Sequence, residues 1–211
     1  MENRISGLYA VTPEIADTEG LLEKVDAALR GGARIVQYRS KCSDAGLRRR
    51  QAVALAELCR QRRALFIVND SAELARESGA DGVHLGREDG IVARARATLG
   101  PGKIIGVSCY NEIGLARTAV AQGADYIAFG SFFSSLTKPA AVRADVQLLR
   151  AAAAEIEVPI VAIGGIDVDN AAELIAAGAD AVAVVSALFD AHDVEAQALR
   201  FVDLFQTSVH S

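Results

Sequence analysis

Asp70 and Asp89 each follow a short apolar run, in Phe66-Ile67-Val68-Asn69-Asp70 and in Val83-His84-Leu85-Gly86-Arg87-Glu88-Asp89. Gln37-Tyr38-Arg39-Ser40-Lys41 ends another such run, Thr137-Lys138 follows a fourth and Gly164-Gly165 a fifth. If these runs are parallel strands, their carboxyl ends converge. Two carboxylates, Asp70 and Asp89, and three cations, Arg39, Lys41 and Lys138, then surround one pocket. Carboxylate oxygens suit magnesium, which keeps water and phosphate oxygens among its ligands. A guanidinium grips two phosphate oxygens at once, and an ammonium acts as a compact point charge. The set is equipped to hold a metal and a pyrophosphate together. The plainer reading makes both aspartates helix caps, with Asp70 capping a helix that starts near Ser71.

Other strand-end residues extend the pocket. Gly164-Gly165-Ile166 and Val185-Ser186-Ala187 would end the seventh and eighth strands, where barrels often bind a phosphate through backbone N–H groups. Glycine lets the backbone approach an anion closely. Asn69 is placed to hydrogen-bond in the pocket or to cap a turn, and Ser108 to donate to an anion or finish a turn. His84, alone on an apolar run, reads first as a satisfied structural residue and second as an acid or base. Cys109 has no matched base, so covalent catalysis is not expected.

These residues need elements to carry them. Strands are expected near Gly7–Thr12, Ala33–Tyr38, Ala64–Val68, Gly82–Leu85, Lys103–Val107, Tyr126–Gly130, Pro159–Ile163 and Ala181–Val184. Most are short and continuously apolar, as strands covered on both faces are. Helical periodicity fills the gaps, as in Val194, Ala198, Phe201, Val202 and Phe205. Gly32-Ala33, Gly79-Ala80-Asp81, Gly123-Ala124-Asp125 and Gly178-Ala179-Asp180 form an internal echo, each ending a helix before a strand. Eight strand–helix units predict an α/β fold, a single-domain (β/α)8 TIM barrel over residues 1–211 with its site at the carboxyl ends of the strands. An open doubly wound sheet is the competitor, weakened by the missing G-x-G-x-x-G turn.

The chain has 211 residues, 51% hydrophobic and 23% charged, enough for a substantial core. Its net charge of -5 gives no broad nucleic-acid footprint. The arginines between Arg48 and Arg63 read as the wet face of a helix. Three cysteines in no metal or redox motif suggest reduced thiols and a cytoplasmic location. No apolar signal segment or membrane-length span is expected.

The ordered set Val36-Gln37-Tyr38-Arg39-Ser40-Lys41, Asn69-Asp70, Gly82-Val83-His84-Leu85-Gly86, Asp89, Thr137-Lys138, Val161-Ala162-Ile163-Gly164-Gly165-Ile166 and Val184-Val185-Ser186-Ala187 resembles the thiamine-phosphate synthase family. The similarity runs from about Gly7 to Asp193. It implies a barrel that joins 4-amino-2-methyl-5-hydroxymethylpyrimidine diphosphate to 4-methyl-5-(2-hydroxyethyl)thiazole phosphate, or its carboxylated form, releasing pyrophosphate. Asp70 and Asp89 then correspond to ligands of one Mg2+ per active site. Gln37, Arg39, Lys41, Asn69, Ser108 and Lys138 correspond to the pyrimidine diphosphate site. Ser135 and Thr137 fall in the hydroxyl-bearing loop, and Gly165, Val185 and Ser186 at the thiazole phosphate site. The implied reaction is dissociative, and the implied assembly is a homodimer.

The chain departs from the family pattern at Tyr38, Arg87 and Tyr110, and at Ser131 and Ser134, where the family usually has proline. Losing two prolines is expected to loosen that loop. A thiazole tautomerase of the same superfamily, another phosphate-binding barrel and a non-catalytic sensor of thiazole phosphate or thiamine phosphate stay open at this point.

Overall fold

The computed structural model describes residues 5–86, 91–134 and 142–207. Eight parallel strands close on themselves: β1 (Gly7–Val11), β2 (Ile35–Tyr38), β3 (Leu65–Asn69), β4 (Gly82–Leu85), β5 (Ile104–Tyr110), β6 (Tyr126–Phe129), β7 (Ile160–Ile163) and β8 (Ala181–Val184). Closure comes from β1 pairing with β8, Leu8 opposite Val182 and Ala10 opposite Val184. An open sheet has no such pair. Every expected strand is present. β5 runs three residues further than expected, and its register against β6 shifts between Ser108 and Tyr110.

The Gly-Ala-Asp echo now has a physical cause. Gly79, Gly123 and Gly178 all take positive φ, which an L side chain resists. The following aspartate then clamps the preceding strand. Asp81 N–H donates to Phe66 O at 2.8 Å, and its carboxylate accepts Phe66 N–H at 2.9 Å. Asp125 repeats this on Ile105, and Asp180 on Ile160. The echo is a strand-register device used three times around the barrel. Arg34 takes the equivalent place in the first unit, donating only its backbone N–H to Leu8 O.

Several helices begin where a polar side chain takes up an unpaired backbone N–H. Asp17 caps α1 (Thr18–Arg30), Asp44 caps α2 (Ala45–Arg62), Ser71 caps α3 (Ala72–Ser78) and Asp145 caps α6 (Val146–Glu155). The cap at α3 is therefore Ser71 rather than Asp70. The other helices are α4 (Val92–Leu99), α5 (Ile113–Ala121), α7 (Ala171–Ala176), α8 (Ser186–Phe189) and α9 (Val194–Thr207). On α2, Gln51, Ala52, Leu55 and Cys59 are buried, while Arg60 pairs with Glu57 and Arg62 with Asp26 in solvent. Arg49, Arg50, Arg60, Arg62 and Arg63 form the wet face that the sequence suggested, whereas Arg48 is half-buried with its Nε enclosed.

The core has two parts. The larger lies between strands and helices and includes Leu8, Val36, Phe66, Ile105, Phe129, Leu149 and Phe201. The smaller fills the barrel itself with Ile5, Tyr9, Val11, Ile35, Ile67, Ile104, Tyr126, Ala128, Val161, Ala181 and Ala183. Alternation along each strand thus separates helix-facing from barrel-facing side chains. It also sets which polar residues look into the barrel.

Candidate active site

Gln37, His84 and Ser108 share the inward face of their strands and meet above the apolar plug. They are joined by two tyrosines that the sequence reasoning missed. Gln37 Nε2 donates to the Tyr9 hydroxyl at 2.9 Å. The Tyr9 and Tyr126 hydroxyls lie 2.9 Å apart. Tyr126 Oη lies 2.9 Å from His84 Nδ1, and His84 Nε2 lies 2.8 Å from Ser108 Oγ. One polar chain therefore crosses the barrel through β2, β1, β6, β4 and β5. The His84 and Tyr126 rings stack at 5.5 Å, and Tyr9 meets Tyr126 edge-on at 6.2 Å. Burial pushes both tyrosine hydroxyls well above the usual phenol range, so they stay protonated. Two signals in the sequence could have found them. Each is a polar aromatic at an inward position of an otherwise apolar strand, and Gly106 lies inside β5 where a strand glycine often marks a close approach. A Cβ on Gly106 would stand 2.0 Å from Tyr126 Cζ.

Asn69 shares the inward face of β3 with Ile67 and is in register with His84. Asp70, next in the chain, has a φ of 67° and donates its backbone N–H to His84 O at 2.8 Å. Its exposed carboxyl-bearing residue lines a cavity of about 160 Å3 with Glu73, Leu85, Ile91 and Arg94, on the side of α3 and α4. Asp89 and Arg87 lie outside the described residues, so the spacing of the two carboxylates does too.

Arg39 continues β2 above Gln37. Its backbone N–H donates to buried Thr12 Oγ1 at 3.0 Å. Lys41 sits on a loop organised by Glu14, another residue missed from sequence. The Glu14 carboxylate accepts the Ser40 hydroxyl at 2.8 Å and the backbone N–H groups of Lys41 at 2.9 Å and Cys42 at 3.1 Å. Burial pushes the Glu14 carboxyl up, but these donors outweigh it and hold it below the usual glutamate value. The structure thus pins the backbone carrying both cations. Lys138, Ser135 and Thr137 lie outside the described residues.

At the opposite side, Ile163 and Val185 pack on the barrel-facing cluster, and Gly165 follows two residues after Ile163. Gly164 and Gly165 have φ of 104° and 67°. A Cβ on Gly165 would stand 2.4 Å from Ser134 O, so this turn lies flat against the segment leaving β6. Asn170 Nδ2 donates to Gly165 O at 3.1 Å and fixes the turn from behind. Ser186 opens α8 directly after Val185. β7 and β8 are each followed directly by half-buried residues, Gly164-Gly165 and Val185-Ser186.

The departures from the family pattern also find places. The Tyr38 hydroxyl donates to Gln51 Oε1 at 2.8 Å, tying β2 to α2 away from the barrel interior. Ser131 Oγ donates to Phe133 O at 2.8 Å, and Ser134 Oγ accepts Arg143 Nη2 at 2.7 Å. Ser131 N–H also donates to Val142 O, and Ser131 O accepts Ala144 N–H. Serine hydroxyls and a short ladder hold the base of this loop where the family pattern uses proline. Tyr110 adopts a φ of 54° at the end of β5 and accepts Gly130 N–H. Burial pushes the Cys109 thiol up to about 12, which suits an inert core residue.

Comparison with known proteins places this geometry among relatives. The family described as thiamine monophosphate synthase matches residues 8–188. The chain is 55% identical over 202 residues to the thiamine-phosphate synthase of Nitrosospira multiformis, covering 96% of this chain and 86% of that one. It is 54% identical over 204 residues to the thiamine-phosphate synthase of Aromatoleum aromaticum, covering 97% and 98%. Among solved structures, thiamine phosphate pyrophosphorylase from Pyrococcus furiosus superposes with a TM-score of 0.89 at 34% identity, covering 98% of each chain.

Proposed function

Because the chain belongs to the thiamine monophosphate synthase family and is a transferase that forms thiamine phosphate, we propose that its strand-end pocket joins 4-amino-2-methyl-5-hydroxymethylpyrimidine diphosphate to a hydroxyethylthiazole phosphate. The carrying observation is the match at 55% identity across almost the whole chain. The inventory of side chains agrees with it: strand-end cations, an exposed carboxylate and, among the described residues, no activated nucleophile.

The pocket's task is to let a diphosphate leave. The bond from the pyrimidine methylene carbon to the diphosphate oxygen breaks, and its electron pair departs with pyrophosphate. The electron-rich aminopyrimidine carries the resulting positive charge until the thiazole nitrogen donates its pair to that carbon. Arg39 and Lys41, with Lys138, lower the barrier by meeting negative charge as it grows on the leaving group. Glu14 and Thr12 hold the backbone beneath two of these cations, so little reorganisation is needed when the charge develops. Gln37, Asn69 and Ser108 orient the pyrimidine end, and Gly165, Val185 and Ser186 the thiazole phosphate. Ser135 and Thr137 would add hydroxyl groups to this site, as the family resemblance implies. Fixed orientation of the two rings supplies much of the advantage over solution, and the barrel walls keep water from the cation.

Asp70 fits a magnesium ligand by its chemistry, a hard carboxylate oxygen at the carboxyl end of β3, and Asp89 would be its partner. When bound, the ion adds positive charge against the departing diphosphate. We place the protein in the cytoplasm, as sparse free thiols suit a reducing compartment, and as a homodimer, as the family resemblance implies. Among the described residues no helix is long and apolar enough to cross a membrane.

The test is to mix the two phosphorylated heterocycles with the protein, with and without magnesium, and measure thiamine phosphate and pyrophosphate. Magnesium-dependent formation of both in equal amounts is expected. Binding of the thiazole phosphate without pyrophosphate release would support a sensor and end the reading; conversion of the thiazole alone would support a tautomerase.

A further inference from the structure

We infer that Tyr126, backed by Tyr9, is a positioning residue: it fixes His84 as the neutral Nε2–H tautomer and thereby leaves the Ser108 hydroxyl hydrogen to be donated into the pocket. The acceptor is a polar atom of the pyrimidine diphosphate, so this inference rests on the substrate assignment above.

The direction follows from counting hydrogens along the chain. The Gln37 amide nitrogen only donates, so Tyr9 Oη accepts from it. Tyr9 has one hydroxyl hydrogen, and among the described residues its remaining polar partner is Tyr126 Oη. Tyr126 then has one hydrogen of its own, which passes to His84 Nδ1. A neutral imidazole whose Nδ1 accepts carries its proton on Nε2. That N–H donates to Ser108 Oγ. The Ser108 oxygen is thus an acceptor inside the protein, and among the described residues its own hydrogen has no acceptor.

The reverse direction fails at Tyr9. With the Gln37 amide as placed, Tyr9 Oη would accept from both Gln37 and Tyr126. Among the described residues its own hydrogen would then have no acceptor, at a residue only 1% exposed, and buried donors are nearly always satisfied. The orientation of one amide therefore sets the polarity of the whole chain. The architecture also holds Tyr126 in place. Its ring occupies the space where Gly106 lacks a side chain, and it stacks on the His84 ring. Both tyrosines stay protonated because burial raises them, so each keeps the hydrogen the chain requires.

The tautomer is measurable by 15N NMR on the intact protein, with the His84 signals assigned through His84→Gln. The expected spectrum has Nε2 protonated and Nδ1 bare. Tyr126→Phe removes the hydrogen aimed at Nδ1 while keeping the ring. It is expected to give a mixed tautomer and to raise the KM for the pyrimidine diphosphate roughly tenfold, about one hydrogen bond's worth. Turnover and the KM for thiazole phosphate should change less than about twofold, since neither depends on that bond. In a Ser108→Ala background, Tyr126→Phe should cost nothing more, because its effect acts through Ser108. An Nδ1–H tautomer in the parent protein, or additive effects in the double variant, would overturn the inference. The parent spectrum needs no substrate and no variant, so it stands apart from whether the protein forms thiamine phosphate.

Discussion

The Glu14 carboxylate accepts the backbone N–H of Lys41 at 2.9 Å, across a gap of 27 residues. It also takes the Ser40 hydroxyl and the Cys42 N–H, so one side chain from the end of β1 shapes the cation-bearing loop after β2. Glu14→Ala leaves three donors without their shared acceptor. The expected result is a KM for the pyrimidine diphosphate raised roughly tenfold, from loss of a charge-assisted hydrogen-bond set. Steady-state kinetics with each substrate varied in turn checks it; an unchanged KM would free the loop from Glu14.

The same carboxylate ties stability to pH. Its folded-state value is held below that of an unfolded glutamate. The unfolded chain therefore binds its proton first as the pH falls. The stabilisation is present above the ordinary glutamate value and is lost as the pH drops through the depressed folded value. Urea denaturation should show Glu14→Gln less stable than the parent at neutral pH, with the gap closing in acid. A gap that widened in acid would reverse the sign.

Arg39 meets charge that grows only as the diphosphate leaves. Arg39→Ala is expected to lose roughly a hundredfold or more in turnover, the usual scale for one electrostatic donor. Its thermal unfolding should stay near that of the parent, because Arg39 is held through its backbone rather than holding the fold. Equal turnover would remove Arg39 from the clamp.

Asp70→Asn keeps the size of the side chain but removes the charge that suits magnesium. The activity of Asp70→Asn and of Asp89→Asn should need far more magnesium than that of the parent, while circular dichroism remains unchanged. A magnesium titration superimposable on the parent's would exclude either residue as a ligand.

Gly165 has room for no side chain. In Gly165→Ala a methyl group would press on the backbone of Phe133 and Ser134, and the residue would keep a positive φ. The turn must shift, so the KM for thiazole phosphate should rise while that for the pyrimidine diphosphate stays within about twofold. A rise in the pyrimidine value alone would place Gly165 in the other subsite.

Ser134→Pro restores the residue common in the family but removes the hydroxyl that accepts from Arg143. Stiffening and lost bonding oppose each other. The expected net outcome is a modest change, about twofold to fivefold, in the KM of at least one substrate. No change in either would show that this segment does not influence binding.

Sequence alone carried the barrel. Eight apolar runs, helical periodicity between them and the recurring Gly-Ala-Asp turn determined the strand count, and the strand ends then determined where polar residues could gather. Local chemistry suffices for that, because period and turn residues act over a few positions. Sequence also placed Arg39, Asn69 and Asp70 at strand ends and Lys41 in the loop just beyond one, since each lies at or shortly after the end of an apolar run. The tertiary structure decided which side chains complete the interior. Tyr9 and Tyr126 are 117 residues apart, and each alone reads as an ordinary core aromatic. Only barrel closure brings β1 beside β8 and aims both hydroxyls, with Gln37 and His84, at a common centre. Glu14 likewise looks like a loop acid until the end of β1 is set against the loop after β2. A hydrogen bond across a barrel depends on the relative placement of whole strands, and no local pattern in the chain encodes that distance.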